Sequence, residues 1–348
     1  MIKLNTTLAA VLVKTGAPLQ LMELVIPEIG KGQTLVELHF SGVCFTQVSE
    51  CRGHKGEDKF LPHCLGHEGS GVVLDVGEGV NKVKPGDRVV ISWIKGSGAD
   101  VPSARYQQNG KVINCGALAT FNKHAVVSEN RLTVVPEGVS MRDAAFVGCA
   151  LPTGIGSVRN TLGAKKGQSI VIFGVGGVGL SSVMGAALVG CSPIIAVDII
   201  EEKLAEAKRL GATHILNASR CDVVAEIKKI CPQGSDLAVE ATGNPKVILD
   251  SLEVLKNQGG KTVVVGNPKA TDQLTLSPKV FNAGKSILGT WGGDTKPDVD
   301  FPYYFDLLSQ KKIELSRIFS KTYSLNEINQ AVDDLEQGKC IRPLIALK

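Results

Sequence analysis

A chain of 348 residues is long enough for two domains with separate cores, at ~100–200 residues per domain. Hydrophobic residues make up 43% and charged residues 21%, ordinary values for a globular protein, and no run of ~20 apolar residues is present to span a bilayer. The net charge of +4 is spread over mixed signs with no basic block, which argues against nucleic acid and a membrane surface as partners.

Residues 1–13 carry one early lysine and a short apolar stretch but no small-residue cleavage site, so the expected location is cytoplasmic. Up to about residue 150, short β-like runs at 10–13, 34–40, 71–74, 87–92 and 125–127 are broken by glycine and proline. Such punctuation predicts a β-rich domain. From Gly154 onward strands alternate with helical stretches, the pattern of a parallel sheet covered by helices.

Within that alternation, residues 169–179 read as a buried strand running into G-x-G-x-x-G at Gly174, Gly176 and Gly179, with Gly177 and Val178 between. The first glycine allows a tight turn, the second a close approach of backbone to a pyrophosphate, and the third a close fit of helix on strand. The phosphates would meet the free N–H groups at the helix start. A second apolar run, 193–198, ends in Asp198, placed to accept hydrogen bonds from an adenosine ribose and to repel a 2′-phosphate. The cofactor expected is therefore NAD. A helix over 201–210 stops at Gly211, and 237–240 and 262–265 suggest further strands. In the tail, Ser324 and Glu327 form a capping-box start for a helix over 327–337, and 343–346 reads as a closing strand.

Nine cysteines, odd in number and unevenly spaced, do not form a disulfide framework. Cys44, His67 and Cys149 make a Cys2His set, an arrangement that holds catalytic zinc with one position open. A redox-inert Lewis acid suits alcohol chemistry, because it lowers the alcohol pKa and readies the carbon-bound hydrogen to leave as hydride. On residue type alone, buried packing thiols remain the other reading.

The chain resembles the zinc-dependent medium-chain alcohol dehydrogenases along nearly its whole length. The resemblance is carried by G-V-C-F-T at 42–46, G-H-E-G-S-G at 66–71, V-K-P-G-D-R-V at 83–89, G-C-A-L-P-T-G at 148–154, the fingerprint at 174–179, and V-V-G at 264–266. It implies that Cys44, His67 and Cys149 are the catalytic zinc ligands. It makes Thr46 the hydroxyl that takes the alcohol proton. Glu68 becomes a carboxylate beside the metal that either coordinates transiently or only shapes its field. Arg342 matches an arginine that touches the cofactor pyrophosphate, while Val265 and Leu288 match residues packed around the nicotinamide. Trp93 stands where relatives carry an aromatic in the alcohol pocket.

Two departures stand out. Phe45 and Gln47 replace the His and Asp of many members, and Ser49 stands where some carry a relay histidine. Gln47 lacks the charge that orients and strengthens a ligating histidine, which predicts weaker metal binding. Residues 93–114 lack the four clustered cysteines of the structural-zinc lobe, with Cys115 alone nearby, so no structural zinc is expected and the segment reads as a loop near the cleft or a subunit contact. Cys51, His54, His63 and Cys64 read as packing or surface residues.

The fold expected is α/β: a doubly wound parallel Rossmann sheet at 151–292, plus a β-rich GroES-like catalytic domain from 1–150 and 293–348, with zinc and NAD in the cleft between them. The activity expected is zinc-dependent hydride transfer between an alcohol, or a sugar or cyclitol hydroxyl, and NAD, giving an aldehyde or ketone. Its partners are a small alcohol or carbonyl substrate and further copies of the chain, as a homodimer or homotetramer. A zinc-free quinone or enone reductase, and a non-catalytic NAD-binding protein, are the alternatives.

Overall fold

The chain up to Val134 forms ten strands in the computed structural model, which describes residues 5–319 and 321–348; the first four residues of the N-terminal stretch lie outside the described residues. In order these are β1 (Thr6–Leu12), β2 (Gln20–Val25), β3 (Gln33–Gly42), helix α1 (Phe45–Arg52), β4 (His63–Cys64), β5 (Glu68–Val76), β6 (Arg88–Ser92), β7 (Tyr106–Gln108), β8 (Lys111–Ile113), β9 (His124–Ser128) and β10 (Leu132–Val134). Helices α2 (Met141–Val147), α3 (Ala150–Gly156) and α4 (Gly177–Val189) follow, with β11 (Ile170–Phe173) before α4. The alternating region then holds β12 (Ile194–Asp198), α5 (Glu201–Arg209), β13 (His214–Asn217), α6 (Val223–Ile230), β14 (Leu237–Glu240), α7 (Pro245–Glu253), β15 (Lys261–Val264), α8 (Lys279–Asn282) and β16 (Ser286–Gly289). The chain closes with α9 (Pro297–Ser309), β17 (Thr322–Ser324), α10 (Ile328–Glu336) and β18 (Leu344–Ala346).

Two compact units result, Met1–Cys149 with Lys296–Lys348, and Ala150–Thr295. The first contains a five-stranded sheet, β4-β1-β2-β7-β8, and a larger one ordered β10-β6-β5-β3-β18-β17 with β9 also on β3. Its main core is built from alternate residues of the larger sheet, such as Val36, Leu38, Val89 and Ile91, closed by Phe121 and by Ile328 and Val332 of α10. Burying each such side chain contributes about 1.5–3 kcal/mol. β18 pairs with β3, so the C-terminal tail is stitched beside the strand that leads to Cys44.

The second unit is a six-stranded all-parallel sheet, β13-β12-β11-β14-β15-β16. Ile170, Val171, Ile172 and Phe173 of β11 are all buried, as a central strand covered on both faces requires. The strand order reverses between β11 and β14, which makes their carboxyl ends the switch point of the sheet.

The segment 93–114 is not all loop. Its second half is the β7–β8 hairpin, turned by Asn109 and Gly110, both at positive φ, an Asn-Gly pair suited to a tight hairpin. The helix expected at 327–337 starts one residue late, because Leu325–Glu327 form a 3-10 turn inside the Ser324–Glu327 capping box.

Asp334 of α10 is held by the Tyr323 hydroxyl at 2.7 Å and by Lys321 at 3.1 Å. The Tyr323 bond lowers its pKa to about 2 against the opposing effect of burial. A depressed carboxyl stabilises the fold above its unfolded pKa of ~3.9 and loses that contribution as pH falls through about 2. Asp334→Asn is therefore expected to lower the melting temperature at pH 7 and to match wild type near pH 2, in thermal unfolding followed by circular dichroism.

Candidate metal centre

Three turns, each dependent on a glycine, bring the cysteines and histidine together. β3 ends at Gly42, and Cys44 is the extended residue that starts α1. Between β4 and β5, Gly66 sits at φ +90°, where a side chain would strike Thr120 and Phe121, and the sharp turn swings His67 and Glu68 inward. Gly148, at the end of α2, packs where a Cβ would overlap the Ile91 carbonyl and the Glu68 backbone, and it delivers Cys149.

The ligand atoms of Cys44, His67 and Cys149 all lie within 4.8 Å of one another. His67 Nε2 is 3.2 Å from Cys149 Sγ, and both sulfurs are buried. A hydrogen bond from Cys149 pulls the Cys44 thiol well below its usual range, whereas the same bond and burial push Cys149 well up. A divalent cation seated between them would meet two sulfurs, bound as thiolates, and an imidazole. That donor set fits zinc.

Around the three ligands, four further groups are fixed. Thr46 Oγ1 lies 3.6 Å from Cys44 Sγ. Glu68 is fully buried; its Oε1 accepts from Nε (2.8 Å) and Nη2 (2.5 Å) of Arg342, while Oε2 has no partner among the described residues. An orphaned carboxylate oxygen beside two thiols is suited to a cation. Burial pushes the Glu68 carboxyl up despite the pull of Arg342. The guanidinium of Arg342 overcomes its own burial through Glu68 and the two sulfurs, stays charged, and lies 5.9 Å from the centre of the Phe146 ring. Trp93 presents its ring edge-on to His67, with centroids 6.3 Å apart.

Gln47 does two jobs at once. Its Oε1 accepts the Cys44 backbone N–H at 3.0 Å, and its Nε2 stands 2.7 Å from His67 Nδ1. The contact of Arg342 could not be assigned from spacing, since its partner is 274 positions away. Nor did sequence show that Gly42 makes room for Glu68: a Cβ there would overlap Oε1. Gly42→Ala is expected to break the Glu68–Arg342 pair and destabilise the chain by about 3–5 kcal/mol, the cost of disrupting a buried ion pair, as measured by urea unfolding.

Of the remaining histidines and cysteines near these motifs, His63 pairs with Asp58 at 2.7 Å and Cys51 lies in the main core. Cys64 and Cys115 sit together in the core under the five-stranded sheet.

In the second unit, Gly174 has φ +81° and faces Thr242, and Gly179 lies against the Gly174 carbonyl with no space for a Cβ. Gly176 precedes α4, Gly177 and Val178 form its first turn, and Gly176 has open space where a Cβ would stand. Asp198 ends β12 and holds the glycine-rich turn directly: Oδ2 accepts from Val175 N at 2.8 Å, and Oδ1 from Ile199 and Ile200 N. Val265 follows β15 and donates its N–H to the Glu240 carbonyl, and Leu288 is half-buried in β16. The buried carboxylate of Glu240 accepts from Thr242 N at 2.7 Å and Gly243 N at 3.0 Å, fixing the turn that abuts Gly174. Its role was invisible in sequence, where it read only as the end of a strand.

Residues 30–137 match the family model described as alcohol dehydrogenase GroES-like domain, and residues 177–310 match that of zinc-binding dehydrogenase. The chain is 31% identical over 372 residues to an S-(hydroxymethyl)glutathione dehydrogenase of Paracoccus denitrificans, covering 97% of this chain and 99% of that protein. It is 30% identical to alcohol dehydrogenase class-P of Arabidopsis thaliana, over 97% of both chains. Among solved structures, benzyl alcohol dehydrogenase from Acinetobacter calcoaceticus superposes with a TM-score of 0.89 at 30% identity, over 99% of this chain and 100% of that one.

Proposed function

Because the chain belongs to the zinc-dependent alcohol dehydrogenases of the medium-chain dehydrogenase superfamily, we propose that it oxidises a primary or secondary alcohol with NAD, reversibly, at Cys44, His67 and Cys149. The observation that carries this reading is the convergence of those three ligand atoms within 4.8 Å, beside a threonine hydroxyl and an unpaired carboxylate oxygen. Bound there, zinc supplies Lewis acidity that favours loss of the alcohol proton.

The chain's own residues do the rest. Thr46 Oγ1 both accepts and donates, so it takes the alcohol proton and passes its own outward. Phe45 cannot carry a proton, which leaves the Thr46 hydroxyl, a ribose hydroxyl and water as the route. Glu68, anchored by Arg342, places negative charge next to the two sulfurs. Gly174, Gly176 and Gly179 open the turn to a pyrophosphate, with Gly177 and Val178 presenting N–H groups at the start of α4. Asp198 keeps a lone pair for a ribose hydroxyl after holding three backbone N–H groups, and Val265 and Leu288 are assigned to the nicotinamide wall.

The edge of Trp93 beside His67 favours an alcohol bearing an apolar or ring group, in keeping with the benzyl alcohol dehydrogenase it superposes on. The first unit is then the catalytic domain and the second the dinucleotide domain, in a cytoplasmic homodimer or homotetramer. One catalytic zinc and no structural zinc are assigned, because the segment 93–114 carries no cysteine; within it Ala99 N donates to Glu129 and Ser97 N to Asp298.

The test is metal analysis of protein purified without added zinc, alongside NAD-linked oxidation of a panel of alcohols. The expected result is about one zinc per chain, with turnover lost on chelation and restored by zinc. About two zinc per chain overturns the single-site assignment. No zinc, with NAD still bound, favours a zinc-free reductase or a non-catalytic NAD-binding protein.

A further inference from the structure

Residues Ser128–Arg131 form a buried polar turn at the end of β9, with Glu129 and Asn130 3% exposed and Arg131 7%. This turn grips the segment after β6 at successive points. The Arg131 Nη1 donates to the Trp93 carbonyl, Gly96 N donates to the Asn130 carbonyl at 2.8 Å, and Ala99 N donates to Glu129 Oε2 at 2.7 Å. On its other side, the Trp93 N–H donates to the His67 carbonyl at 3.2 Å. The backbone of Trp93 is therefore clamped at both its N–H and its C=O, and its ring stands edge-on to His67.

Arg131 is an expensive way to hold a carbonyl. Its Nε is buried and has no partner among the described residues, and burial pushes its pKa down against the pull of Asp100. A buried guanidinium with an unmet donor costs stability. We propose that Arg131 is a positioning residue for substrate selection: by holding the Trp93 carbonyl it fixes the indole against His67, where it walls the space a ring-bearing alcohol would occupy.

The kinetic half of this proposal rests on the alcohol dehydrogenase reading, whereas an optical half does not. Trp93 and Trp291 are the two tryptophans of the chain, so a Trp291→Phe background leaves Trp93 as the sole indole reporter. In that background, Arg131→Met keeps bulk and removes the donors. The expected result is a red-shifted Trp93 emission with easier acrylamide quenching, and a KM for benzyl alcohol raised about tenfold with kcat little changed, the scale of one charge-assisted hydrogen bond. Ethanol, too small to reach the wall, is expected to show less than about twofold change in KM. Arg131→Lys, which restores one donor, moves both readouts back toward wild type. A folded Arg131→Met protein with unaltered emission and quenching overturns the proposal, as does an equal KM change for both alcohols. If Arg131→Met does not fold, Arg131→Gln, too short to reach Trp93, is read in the same way. Should no alcohol be turned over, the function fails on its own, and the emission still decides whether Arg131 holds Trp93.

Discussion

Thr46→Val is expected to lower kcat by about two to four orders of magnitude while zinc content and NAD affinity stay at wild-type values. Valine has the shape of threonine without the hydroxyl, so α1 and the placement of Cys44 are preserved. What is lost is the one side chain at the start of α1 able both to accept a proton and to donate one. Phe45 is 48% exposed and chemically inert, and Ser49 lies a full turn further along the helix and is buried. Neither offers a second path, so the effect is larger here than in a chain with parallel relays. Thr46→Ser keeps the hydroxyl and is expected to stay within about tenfold of wild type. Steady-state kinetics with metal analysis on the same samples decides it: a kcat within tenfold for the valine variant would remove Thr46 from the proton path.

The fingerprint glycines were legible because their chemistry is local, whereas the roles of Cys44 and Thr46 came only with the family resemblance. A tight turn needs glycine, and a helix start exposes N–H groups. Asp198 was equally legible in place, at the end of a strand, yet its bond to Val175 shows that the same carboxylate also stiffens the turn it follows. What escaped were several partners set by long-range folding. The resemblance gives Arg342 only as a pyrophosphate contact, but β18 lies on β3 and brings Arg342 to Glu68. Arg131 follows a strand that gives no sign of gripping Trp93. Strands β7 and β8 were missed because each is only three residues long, and their Asn-Gly turn was absorbed into a segment defined by the cysteines it lacks. The burial of Gly42 and Gly148 against Glu68 is likewise a fact of packing with no periodic signature.

Gln47 stands where the resemblance sets an Asp in many members, and the geometry gives that difference a chemical consequence. A histidine that gives Nε2 to a metal carries its proton on Nδ1 and needs an acceptor there. The Cys44 backbone N–H needs an acceptor too. A carboxylate has two oxygens and can serve both, whereas the amide of Gln47 has a single oxygen, already 3.0 Å from Cys44 N, and turns its NH2 group toward the ring. Flipping the amide would satisfy His67 and set NH2 against the Cys44 N–H. Either way one buried donor loses its partner when metal binds, a penalty of about 1–3 kcal/mol. Gln47→Asp removes the conflict and is expected to tighten zinc binding by about 10–100-fold, measured by competition with a chromophoric chelator. The same change places an uncompensated carboxylate beside two sulfurs in the metal-free chain, so the apoprotein is expected to melt lower and zinc to raise the melting temperature by more than in wild type. A dissociation constant within twofold of wild type would show that the shared oxygen of Gln47 does not limit how firmly the site holds its metal.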